Sequence, residues 1–189
     1  MGVFLNRFIG QKKYIIICCL VILVLGCSFG FYQYHLSSQT VIDFFKGLYY
    51  LNTDNYQNNY QLYLIQNALY LMICTYLSTS YIGSIGILFL LFCKGIQIAF
   101  SLYFVFTTIP LSLLVVLFVI VETIIEIALC IFVSYMCMHI STYVALVTFY
   151  LEQNFNSKSM LNFQLNSLIG ALILFTIALC FRIYFIALF

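Results

Sequence analysis

A single lysine, Lys94, interrupts the apolar stretch LLFCKGIQIAF at residues 90–100, and it is the only charged residue between Asp54 and Glu122. The next two charges, Glu122 and Glu126, are four residues apart and share one face if their segment is helical. A lysine at the centre of an apolar span costs about 2.5–3.5 kcal/mol on insertion scales, so it should face protein or trapped water and have an anionic partner. Three chemistries fit such a constellation: an ion pair that fixes helix register, a proton or ion pathway that uses both carboxylates, and a polar contact to a partner subunit or substrate. Lys94 lies sixteen residues before Pro110 and Glu126 sixteen residues after it. Two helices joined at Pro110 would therefore bring Lys94 and Glu126 to the same depth. Two ionised carboxylates at this spacing would repel, which leaves one of Glu122 and Glu126 neutral or water-linked.

The elements that position these charges follow from composition. With 65% hydrophobic and 6% charged residues and a mean hydropathy of +1.13 over 189 residues, there is too little polar surface to coat a soluble globule. The expected fold is an all-α, polytopic transmembrane helix bundle forming a single integral membrane domain. Spans are read at about residues 14–34, 62–81, 82–109, 123–150 and 165–187, with a polar loop at 35–61 on the outer face. Five spans leave the C-terminus outside, and six would leave it inside. Within the loop, VIDFFKGLYYL has the apolar spacing of a short interfacial helix. Pro110 marks an outer turn, after which residues 111–151 contain neither Gly nor Pro. That run is too long for one straight span. A re-entrant or interfacial helix up to about Val121, followed by a full span, is the preferred division; two spans meeting near His139–Thr142 is the other. Arg7, Lys12 and Lys13 precede the first span while Asp43, Lys46 and Asp54 follow it, which puts the N-terminus in the cytoplasm. Arg182 can snorkel from the last span.

Small residues mark where helices can approach closely. Gly26 and Gly30 form one small-xxx-small step, Gly95 and Ala99 another, and Gly83 opens the third span. At least one of these faces is expected to serve contact between proteins. The eight cysteines lie in apolar stretches without a CxxC pair, and His35 and His139 are isolated, so the cysteines read as small hydrophobes with no metal site and no cofactor. A net charge of +2 without a basic run longer than Lys12-Lys13 gives no nucleic-acid surface. The chain shows no P-loop, HExxH or GxSxG motif, which argues against ATP use and intrinsic catalysis.

The stretch SYIGSIGILFLLFCKGIQIAFSLYFVF, residues 80–106, resembles the signature of the stage II sporulation protein M family of small bacterial multi-span membrane proteins. Gly83 matches the Gly-containing entry of that signature, and Lys94-Gly95 its basic-Gly step. VETIIEIAL resembles a downstream family segment, in which Glu126 matches an acidic residue. The likeness covers roughly Asn67 to His139. Glu122 replaces the usual His or Gln, and Thr123 and Ala128 stand where Gly and Pro often break the helix. The resemblance implies a non-enzymatic subunit or scaffold of a bacterial cell-membrane complex, such as one anchoring cell-wall hydrolases during sporulation. Relatives lie beside ABC-type exporters, which implies peptide (bacteriocin-like) export or immunity with an ATP-binding cassette partner as the alternative. A self-sufficient proton-coupled carrier is the third reading and would need Glu122 and Glu126 to titrate.

Overall fold

The computed structural model describes residues 2–41, 56–108, 113–148 and 157–188, and these are helical apart from 37–38 and the turn at 79–82. Helix α1 spans Gly2–Leu36, α2 Tyr56–Ser78, α3 Gly83–Thr108, α4 Leu113–Thr148 and α5 Ser157–Leu188. Among the described residues, four stretches are long and apolar enough to cross a membrane: Lys13–Leu36, Gly83–Tyr103, Val119–Thr148 and Asn162–Cys180. The chain is a multi-pass membrane protein, and helix is the expected answer to lipid because each segment then satisfies its own backbone hydrogen bonds.

Side-chain contacts fix how the helices run. Gly26 meets Phe92 and Gly95, Gly30 meets Ile96, and Tyr34 packs edge-to-face with Phe100 and Tyr103, so α1 and α3 are parallel. Helix α2 descends against α3, with Gln66 beside Gln97 and Leu77 beside Gly83 and Gly86. Helix α4 is also antiparallel to α3, because Glu126 meets Lys94 while Ser141 reaches Gly83 and the carbonyl of Ser80. Helix α5 returns along α4, placing Gly170 at Phe132 and Phe163 at His139. The core between them is built from Cys19, Leu23, Tyr70, Cys74, Leu91 and Cys130, all buried. Ile17, Leu20, Val24 and Leu25 on α1 and Leu165, Ile169 and Ile173 on α5 point outward, as lipid-facing side chains should.

The closest helix pair is made by missing side chains. A Cβ on Gly95 would come within 2.7 Å of the Leu23 carbonyl oxygen, and one on Gly30 within 2.5 Å of the Ile96 carbonyl oxygen. Gly26, Gly30 and Gly95 thus pack inside the chain, between α1 and α3. Ala99 is half-buried on the same helix as Gly95. Gly83 opens α3 so close to Leu77 that any Cβ would collide with its carbonyl oxygen. At the far ends of α1 and α3 the Tyr34 hydroxyl lies 2.8 Å from Thr107 Oγ1, within a cluster that includes Phe31, His35 and Tyr103.

The largest departure from the sequence expectation is α4, one continuous helix of 36 residues. There is no separate re-entrant helix before Val121 and no junction at His139–Thr142. With no Gly or Pro inside it, and with Thr123 and Ala128 at the points where a breaker would act, nothing interrupts the backbone ladder. At about 1.5 Å per residue the helix is roughly 54 Å long, so it must tilt or project beyond a hydrocarbon core of about 30 Å. Helices α2 and α5 likewise begin at Tyr56 and Ser157, inside stretches read as loop. The turn at Pro110, most of the VIDFFKGLYYL segment and the Arg182 side chain lie outside the described residues.

Candidate functional site: a charged clasp between three helices

Lys94 is 6% exposed and sits where α2, α3 and α4 meet. Its ammonium donates to Asn67 Oδ1 of α2 at 2.9 Å and to Glu126 Oε1 of α4 at 3.4 Å. A charge-assisted N–H···O⁻ bond is ordinarily about 2.7–2.9 Å long, so the neutral amide, not the carboxylate, is the tighter partner. The Tyr70 ring flanks the same ammonium with its centroid 5.7 Å away, within reach of a cation–π attraction. Beneath it, the Tyr70 hydroxyl shares a hydrogen bond with Ser134 Oγ at 2.6 Å. One turn from Lys94 on α3, Gln97 Nε2 donates to Gln66 Oε1, beside Asn67 on α2, at 2.8 Å.

Each position has a local cause. Gln66, Asn67, Tyr70, Cys74 and Ser78 recur at helical spacing and line one side of α2, of which Asn67, Tyr70, Cys74 and Ser78 are buried. Glu126, Cys130, Ser134, Cys137 and Ser141 form the facing stripe of α4. Cys130 and Ser134 are small enough to let the helices close beside the charges, and Ser141 packs farther along, at the turn between α2 and α3. The orientation of the Asn67 amide follows from charge, since turning it over would point an NH₂ group at an ammonium. In the remaining orientation Asn67 Nδ2 has no hydrogen-bond partner among the described residues.

No protein-family model, curated protein or solved structure matches this chain. What the site can do therefore rests on its own geometry.

Glu126 is the carboxylate at ion-pair distance from Lys94, and both lie at one level of the bundle. Glu122 is half-buried one turn away on α4 and is itself engaged in a contact. Lys94 and Glu126 meet on the side of α3 that faces α2 and α4, whereas Gly95 packs with Gly26 and Gly30 in the α1–α3 interface and Gly83 sits at the turn between α2 and α3. Sequence reasoning found both charges but missed Asn67, Tyr70, Ser134 and the Gln66–Gln97 pair. The signal was present: a polar stripe at i, i+3/i+4 within an otherwise apolar helix marks a face that turns away from lipid. Among the described residues, no three His, Cys, Asp or Glu side chains gather as a metal site requires.

Proposed function

We propose that the chain is a five-pass subunit of the bacterial cell membrane that holds other envelope proteins in place, with its N-terminus in the cytoplasm. The observation that carries this reading is the enclosure of Lys94, whose ammonium is divided between Asn67 and Glu126 on two other helices. A closed clasp suits a rigid scaffold better than a carrier, which needs its charges reachable in turn from each side. Five passes are supported by the parallel run of α1 and α3, since the chain must come back between them and α2 is the helix that does so. In that arrangement Arg7, Lys12, Lys13 and Lys158 fall on the inner side and only Lys46 and Arg182 on the outer, in keeping with the positive-inside rule. The likeness to the stage II sporulation protein M family points the same way.

The test is gentle detergent extraction followed by affinity purification. Stoichiometric companions that anchor or regulate cell-wall hydrolases are the expected outcome. Recovery of an ATP-binding cassette protein would move the assignment to peptide export or immunity. Proton or solute flux from the purified chain alone in liposomes, lost in Glu122→Gln/Glu126→Gln, would sink both and leave the carrier.

A further inference from the structure

Helix α2 carries six side-chain amides, Gln57, Asn58, Asn59, Gln61, Gln66 and Asn67. The last two lie level with Lys94 and Gln97, and their described hydrogen bonds go to α3, a helix synthesised after α2. Asn67 depends on Lys94 in particular, because its Nδ2 is already without a partner among the described residues. The opposite face of α2 is apolar, with Ile65, Leu69, Met72 and Ile73 exposed. Among the described residues α2 is not one of the helices apolar enough to cross a membrane by length and composition, and it crosses lipid at low cost only when the side that carries Gln66 and Asn67 is covered.

Flanking charge gives no help in choosing. From residue 55 to residue 121 the only charge is Lys94 itself, so neither the turn at 79–82 nor the segment after α3 carries a positive-inside signal. The orientation of α2 and α3 has to come from inside the bundle.

We propose that Lys94, assisted by Gln97, is a topology lock. By taking up the amides of Asn67 and Gln66 it keeps α2 across the membrane, and through α2 it sets the direction of α3, α4 and α5. This inference rests on the five-pass reading. Without the lock, α2 stays on the outer surface, α3 enters from that side, and the last three helices are inverted.

The test places a sidedness reporter after Phe189 in the full chain. The parent reads outside; an inside reading would defeat the five-pass arrangement itself. In Lys94→Met/Gln97→Leu, the inside-facing fraction is expected to rise roughly tenfold or more, as befits the loss of a hydrogen bond to a charged group and a second bond beside it. Adding Gln66→Leu and Asn67→Leu removes the two amides of α2 that lie level with Lys94 and should return the reporter to the outside. That suppression separates a lost lock from general misfolding, which a more apolar α2 has no means of correcting. A reporter that stays outside in Lys94→Met/Gln97→Leu overturns the proposal, and so does an inside fraction that the two leucines fail to suppress.

Discussion

At the scale of single residues, the clasp is lopsided: the longer contact joins opposite charges, and the shorter one joins a charge to an amide. Breaking a buried pair from one side leaves the other partner desolvated and unpaired, at a cost of about 3–5 kcal/mol. Lys94→Met should therefore destabilise the purified chain by about that much, read as thermal unfolding by circular dichroism in mild detergent. Glu126→Gln keeps an acceptor oxygen for the ammonium, whereas Asn67→Leu removes the nearer acceptor altogether. Asn67→Leu is accordingly expected to lower the melting temperature at least as far as Glu126→Gln. The reverse order would mean that the ion pair, not the amide, holds the lysine. Exchanging the charges, as Lys94→Glu/Glu126→Lys, should recover much of the loss in a particular way. With a carboxylate on α3, the Asn67 amide can turn over and donate through Nδ2, the atom that lacks a partner in the native arrangement. If the exchanged chain is no more stable than Lys94→Met, the two sites are not interchangeable and the register reading fails.

At the scale of elements, two docking chemistries divide the bundle: α1 is held to α3 by close backbone approach, and α2 is held to α3 and α4 by polar side chains. Overfilling a packed interface costs about 1–3 kcal/mol, and more when the obstacle is backbone that cannot move aside. Gly95→Leu is expected to part α1 from α3, because even its Cβ would lie 2.7 Å from the Leu23 carbonyl oxygen. A cross-link between cysteines placed at Phe31 and Tyr103, whose rings are 4.8 Å apart, should form readily in a cysteine-free parent and poorly in Gly95→Leu. Undiminished cross-linking would show that α1 is held by other contacts. The first of these chemistries was partly legible in the sequence, since Gly26-x-x-x-Gly30 and Gly95 announce close approach, although not the helix approached. Apolar runs announced α1, α3, α4 and α5, but their ends did not follow from hydropathy. Helices α2 and α5 run on into polar residues with no breaker to stop them, and α4 continues because chain length in lipid is limited by tilt, not only by thickness. The depth match of Lys94 and Glu126 was legible because each sits sixteen residues from Pro110. The part played by Asn67 was not, because an amide within a helix does not say which neighbour it faces.

At the scale of the whole molecule, the proposed five-pass course makes the outer and inner faces predictable from one end. Arg7, Lys12 and Lys13 gather before the first apolar run, and the segment that follows it carries Asp43 and Asp54 against a single Lys46. Basic residues near the ends of a span are retained on the cytoplasmic side, and the first span usually dominates the outcome. Residue 55 should then face outward and residue 11 inward. The check uses single cysteines, Gln11→Cys and Asn55→Cys, in a cysteine-free chain treated in intact cells with a membrane-impermeant thiol reagent. Substitution of the eight native cysteines is a mild change for those at the surface, Cys93 and Cys180, but Cys19, Cys74, Cys130 and Cys137 are buried and are best replaced by alanine or serine of similar size. Labelling is expected at residue 55 without lysis and at residue 11 only after it. The opposite pattern would invert the bundle and place the turn at 79–82, together with Lys158, on the outer face. Labelling of both positions in intact cells would be harder on the fold than inversion. It would require α1 to re-enter on its own side, and a helix whose Gly26 and Gly30 are packed against α3 over that length has no room to do so.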